Sequence, residues 1–186
     1  AIEVKRRRFT VEEYDRMGEV GILTADDRVE LLDGEIIEMA PIHPPHSSVV
    51  DRLNRLFTAR LGERVIVRVG GPIALVQQDS EPQPDLTLLR PRNDFYSHRH
   101  PRPADVLLAV EVMDSNVERD RRLKLPIYAR ARLAEVWLVD IPESRIDVFR
   151  EPQGAGYRST ATWQRGSRFA IAAFADVIFT VDEILG

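Results

Sequence analysis

The chain has 186 residues, 44% of them hydrophobic, with 26 lysines and arginines against 30 aspartates and glutamates and a formal net charge of −4. That length and apolar content suit one domain over residues 1–186 with a full core, while no apolar run approaches the ~20 residues of a membrane span and no apolar signal region follows the charged N-terminus. The absence of cysteine excludes disulfides, thiolate metal sites and cysteine nucleophiles, and makes a cytoplasmic setting the expectation.

Thr10 followed by Glu13 predicts a capping box that opens a short helix, ended by Gly18. Residues 28–39, RVELLDGEIIEM, predict two short strands around Asp33-Gly34, a strong hairpin signal. After His43-Pro44-Pro45-His46, apolar residues at Val49, Val50, Leu53, Leu56, Phe57 and Leu61 recur at helical spacing until Gly62. Residues 64–76 read as two strands around Gly70-Gly71-Pro72, and residues 85–89 as another. A basic, proline-rich loop then runs to Pro103, and residues 106–113 form an apolar strand interrupted only by Glu111. A helix is predicted over residues 116–131, with Pro126 as a kink or restart. Strands are predicted at 135–139, 145–150 and 157–163, with a closing turn at 181–185. No repeat or linker appears, so the pattern predicts an α/β fold with a mixed central β-sheet flanked by helices.

Two lysines, Lys5 and Lys124, stand against 24 arginines. Arginine is a planar fork, whereas lysine is a compact point donor, so a lysine kept inside the folded region suggests work that guanidinium cannot do. Glu111 carries the most physical information, because a carboxylate inside VLLAVEVM needs a cation if it is to stay charged. Asp85 opens the preceding strand, and if the two strands are neighbours both carboxylates reach one point. Such hard oxygen ligands suit Mg²⁺ or Mn²⁺. Lys124, on the helix leaving the Glu111 strand, can return to that point, and Glu30 is a further acid among Val29, Leu31 and Leu32. The same pattern is compatible with a structural ion-pair network of Glu30, Glu111 and Lys124. His46 reads as a helix-start residue near the cleft, while Trp137 and Tyr128 read as core.

A net charge of −4 gives no general attraction to nucleic acid, so binding would need a local basic face. Two stretches offer one. Residues 90–102, RPRNDFYSHRHPR, include Arg99 and Arg102, and Arg119, Arg121, Arg122, Arg130 and Arg132 surround Lys124. Arg99, Arg102, Arg121 and Arg122 are the candidate phosphate contacts, with solvated surface as the alternative.

Taken in order, FTVEEYDRM, VELLDGEIIEMAP, QPDLTLLR, AVEVMDSN, RDRRLKLPIYARA, EVWLVD and VDEIL resemble the restriction endonuclease-like PD-(D/E)XK superfamily, and most closely its bacterial Uma-type branch. The resemblance implies that Pro84-Asp85 is the PD element and Glu111 the following acid. Met113 stands where the superfamily's lysine is expected, and in this branch the lysine moves to the following helix, at Lys124. Glu30 matches the early acid and Gln83 the branch's QPD. Asp114 departs from the branch, which carries serine there. The resemblance implies a restriction endonuclease-like core in which Asp85, Glu111 and the Val112 carbonyl bind Mg²⁺ or Mn²⁺. In that reading Lys124 acts on the attacking water, and Glu30 binds a second metal or holds Lys124. DNA is the implied substrate, and a homodimer or higher homo-oligomer is compatible with it. A nuclease-derived binding or assembly module without turnover, and a hydrolase of small phosphate esters, are the alternatives.

Overall fold

Thr10 opens α1 (Val11–Glu19) with both bonds of a capping box: its hydroxyl accepts from the Glu13 amide at 3.2 Å, and the Glu13 carboxylate accepts from the Thr10 amide at 3.1 Å. These bonds satisfy donors that a helix start otherwise leaves unpaired. The computed structural model describes residues 6–24, 26–114 and 117–186, with the side chains at 117, 119 and 120 left aside. Lys5, Asn116 and the Arg119 side chain lie outside the described residues.

β1 (Val29–Leu32) and β2 (Glu35–Glu38) form an antiparallel hairpin in which Leu32 faces Glu35. The turn has φ of 47° at Asp33 and 77° at Gly34, the left-handed pair that an Asp-Gly turn favours. Gly34 is also required sterically, because a Cβ there would lie 2.6 Å from the Arg8 Cβ. α2 (Pro44–Leu61) begins on two prolines, whose missing N–H groups would be unpaired there in any case, and Gly62 caps its end.

The central sheet has six strands in chain order: β3 (Ile66–Val69), β4 (Leu86–Leu89), β5 (Val106–Met113), β6 (Glu135–Asp140), β7 (Arg145–Gln153) and β8 (Gly156–Gln164). Neighbours are antiparallel except β5 and β6, which are parallel and joined by α3 (Val117–Arg130). A parallel pair needs a crossover connection, and α3 supplies it. β9 (Arg168–Ile171) and β10 (Phe174–Thr180) form a separate antiparallel pair, followed by α4 (Val181–Leu185).

Each face of the sheet carries its own core. On one, Leu53, Phe57 and Leu61 of α2 and Ile184 of α4 bury Leu86, Leu88, Val110 and Trp137. On the other, Ile127 and Tyr128 of α3 cover Ala109, Met113, Val136 and Leu138. Each such leucine or phenylalanine contributes ~1.5–3 kcal/mol on burial, so α2 and α3 are held mainly by these faces. From Leu108 to Met113 the β5 residues alternate between the two cores, which turns Glu111 toward α3.

Four local expectations change. α1 runs through Gly18 to Glu19, with Val20 as its C-cap. Residues 64–76 hold one strand, β3, because Gly70 and Gly71 both adopt positive φ and Pro72 offers no amide. The closing turn is the helix α4, started by a second capping box between Thr180 and Glu183. The β9–β10 pair lies in residues for which the pattern predicted no strand.

Candidate functional site

Register brings Asp85 to Glu111. Leu86 pairs with Val110 across the antiparallel β4–β5 ladder, so the residue before β4 meets the Glu111–Val112 step of β5. The Val112 amide donates to Asp85 Oδ2 at 2.7 Å, and the Gly70 amide donates to the Asp85 carbonyl at 2.8 Å. Asp85 Oδ1 lies 3.0 Å from His46 Nε2, which the first turn of α2 delivers.

Glu111 is 3% exposed. Lys124 Nζ donates to its Oε2 at 3.2 Å, and the Tyr128 hydroxyl donates to its Oε1. Lys124 and Tyr128 are four residues apart on α3 and so share one face of that helix. Lys124 Nζ also lies 3.0 Å from Glu30 Oε2, and both partners are buried. The Gln83 amide donates to the same Glu30 oxygen at 3.0 Å, while Gln83 Nε2 donates to the Val29 carbonyl at 3.1 Å. Gln83 thus fastens the segment before β4 to β1, and that places Glu30 against Lys124. A buried carboxylate without such partners would cost several kcal/mol, so the lysine between two acids is a condition for this fold as well as a chemical group.

These residues border a cavity of about 840 Å³, lined by Glu30, Gln83, Asp85, Glu111, Val112, Lys124 and His46 among others. Eight carboxylate residues line it, Asp114 included, against Arg28, Lys124 and two histidines. The charge is therefore unbalanced toward the negative. Clustered hard oxygen donors with surplus negative charge fit a divalent cation.

The arginine expectations fare differently. Arg99 forms a bidentate pair with Asp105, 2.6 Å at its shorter contact, and its guanidinium lies 5.5 Å from the Tyr96 ring centroid. Arg121 pairs with the buried Asp147 and lies over Phe149. Arg122 is exposed and pairs with Glu118 at 3.0 Å, and Arg102 is exposed. None of the four lines the cavity. The loop instead wraps Tyr96, whose ring attracts Arg68, Arg92 and Arg99, while Asp94 and Asp105 take the guanidinium hydrogen bonds. Two groups at or beside the site escaped the sequence reading. Tyr128, read as core, has its hydroxyl on Glu111. Glu81, 4% exposed, lines the same cavity. An isolated Glu between Ser80 and Pro82 carries no local signal of either role.

Among the described residues, no helix is long and apolar enough to cross a membrane. The structure is similar to that of a putative nuclease belonging to DUF820 from Anabaena variabilis, with a TM-score of 0.72 at 14% identity over 95% of this chain and 97% of that one. At that identity the likeness shows a shared fold. No curated protein matches the chain. Residues 11–182 match the family model described as "Uma2: Putative restriction endonuclease". With nearly its whole length matched, its nuclease-like mixed sheet and its acids gathered at one cavity, the chain belongs to the Uma2 family of restriction endonuclease-like proteins.

Proposed function

We propose that the protein is a metal-dependent endonuclease that hydrolyses DNA phosphodiester bonds at the Asp85–Glu111 cavity. The observation that carries this reading is the convergence of Asp85 and Glu111, from neighbouring strands, on a cavity whose acids outnumber its cations and which also holds Lys124. Asp85 and Glu111, with the Val112 carbonyl, would hold Mg²⁺ or Mn²⁺. A cation bound there supplies Lewis acidity toward the phosphoryl oxygen and the attacking water.

The remaining steps fall to the chain's own groups. Lys124 is a point donor held between Glu30 and Glu111, suited to orienting water and stabilising charge that develops on the phosphoryl group. Glu30 and Gln83 position that lysine, and the geometry favours this role for Glu30 over binding a second metal. Tyr128 fixes the Glu111 carboxylate, and His46 fixes Asp85. Cleavage of supercoiled plasmid and single-stranded DNA with Mg²⁺ or Mn²⁺ tests the reading. Turnover that requires the metal and disappears in Asp85→Ala is expected. Metal-dependent turnover that persists in Asp85→Ala would refute it.

A second reading, a nuclease-derived nucleic-acid-binding or assembly module without turnover, is favoured by one feature. Both Glu111 oxygens already have protein partners, and Arg99 and Arg121 are paired within the chain. DNA binding without cleavage under any divalent metal would select it.

A further inference from the structure

A second group of acids and histidine reaches the same cavity, whose wall includes Asp15 and Glu81. Asp15 on α1, Glu81 on the extended segment before β4, and His100 at the end of the arginine-rich loop bring one potential ligand atom each to within 4.8 Å of one another. His100 Nε2 is 4.0 Å from Glu81 Oε1. Among the described residues this is the group of three or more histidine and carboxylate side chains gathered closely enough for one ion.

Glu81 supplies an independent observation. It is 4% exposed, and its Oε2 is buried with no hydrogen-bond partner among the described residues. A native protein rarely leaves such an oxygen unsatisfied. Its main chain is pinned, since the Glu81 amide donates to the Leu31 carbonyl at 2.7 Å. Among the described residues no lysine or arginine forms an ion pair with Glu81 or Asp15. Burial first, then the neighbouring Asp15 charge and a side-chain hydrogen bond with Asp15, push the Glu81 carboxyl up to about 8. Tyr14, beside Asp15, is pushed up to about 12 by burial and by the charges of Glu81 and Glu30.

We propose that Asp15, Glu81 and His100 form a second divalent-cation site, for a first-row transition ion such as Zn²⁺, that clips α1 and the arginine-rich loop to the cavity wall. The ligand set distinguishes it from the Asp85–Glu111 pair. Imidazole is a ligand of choice for Zn²⁺ and its neighbours, whereas Mg²⁺ prefers oxygen alone. Three protein ligands with water completing the shell is an ordinary zinc arrangement. Metal–ligand bonds of ~2.1 Å at tetrahedral angles put ligand atoms ~3.4 Å apart, so the three need to close by at most ~1.4 Å. Asp15 and His100 are exposed and have room to do so. His100 rides on a braced turn, with its carbonyl accepting from Arg99 Nη1 at 3.0 Å and the Pro101 carbonyl accepting from the Ala74 amide at 2.9 Å.

The clip would act on the neighbouring site through the chain itself. Glu81 is two residues before Gln83, whose amide holds Glu30, and four before Asp85. Fixing Glu81 fixes that segment. The proposal stands independently of whether Asp85 and Glu111 support turnover.

The test uses the full chain stripped of metal and titrated with Zn²⁺ by calorimetry, with Co²⁺ absorption reporting imidazole and carboxylate ligation. The background is an Asp85→Ala/Glu111→Gln variant, which disables the first pair. One equivalent of Zn²⁺ should bind in that background, and its affinity should fall roughly tenfold or more in Glu81→Gln and in His100→Ala. Asp15→Asn, an exposed change on α1, should weaken binding without disturbing the fold, and keeps the test open if Glu81→Gln folds poorly. Zn²⁺ should raise the thermal midpoint of the Asp85→Ala/Glu111→Gln background but not of that background carrying His100→Ala. No zinc equivalent in the background variant, or equal affinity after His100→Ala and Asp15→Asn, would overturn the site.

Discussion

Glu111 and Glu135 are both acids in apolar strands, on the neighbouring strands β5 and β6, and both are almost wholly buried. Their surroundings differ. Glu135 Oε1 accepts from Trp137 Nε1 at 2.7 Å and from Arg150 Nη2 at 2.9 Å, and its Oε2 accepts from the Ala172 amide at 2.7 Å. That carboxylate is enclosed by donors, and it ties β9–β10 to the sheet. Glu111 shares its lysine with Glu30 and borders a cavity crowded with other acids. Burial of a carboxylate alone therefore does not mark a site. In the proposed reading, surplus negative charge around an open volume is what separates Glu111 from Glu135.

The largest expected effect is on the shared lysine. Lys124→Ala leaves Glu30 and Glu111 facing each other without their ammonium, and chemical denaturation should show a loss of about 3–5 kcal/mol. Lys124→Arg keeps the charge and should recover much of that stability, yet fail to restore DNA cleavage, because a planar fork does not replace a point donor. A wild-type rate in Lys124→Arg would count decisively against the role proposed for the lysine.

Glu135→Ala should come next. It leaves an indole N–H and a backbone amide without their acceptor and Arg150 with the Ala170 carbonyl alone, at a cost of about 2–4 kcal/mol by urea unfolding. Cleavage per folded molecule should be unchanged. If turnover disappears while the fold persists, the division between the two acids fails.

Glu111→Gln should be milder for stability and severe for activity. Lys124 keeps Glu30 and an amide can still accept from Tyr128, so the loss should be about 1–2 kcal/mol. Metal-dependent turnover should nevertheless vanish, and an active Glu111→Gln enzyme would remove Glu111 from the proposed ligands. Arg122→Ala should be smallest, within about 0.5 kcal/mol, since its pair with Glu118 is solvent-exposed. A larger shift in the unfolding midpoint would show that Arg122 has a structural role.

The parts legible in the sequence are those written by local chemistry. The Thr10–Glu13 box, the Asp33-Gly34 turn and the proline start of α2 each depend on residues within a turn of one another. β5 was legible because an eight-residue apolar run with one acid has few other readings. β9 and β10 were not, since four residues of β9 show too little alternation and β10 contains a register shift. The convergence of Glu30, Glu111 and Lys124 could be anticipated from a charge among apolar neighbours, which demands a partner. Where the arginines went could not. Arg121 meets Asp147 across 26 positions, and Arg99 folds back on Asp105, and charge runs do not reveal such choices. The Asp15, Glu81 and His100 group draws on three distant segments with no motif spacing, so only the tertiary fold assembles it.

The central claim is that the cavity acids, and not the enclosed one, hold a divalent cation. Mn²⁺ binding followed by electron paramagnetic resonance tests it directly, in wild type, Asp85→Asn, Glu111→Gln and Glu135→Gln. The account predicts that one bound equivalent disappears in both Asp85→Asn and Glu111→Gln while Glu135→Gln binds as wild type. Unchanged Mn²⁺ binding in Asp85→Asn and Glu111→Gln would contradict it.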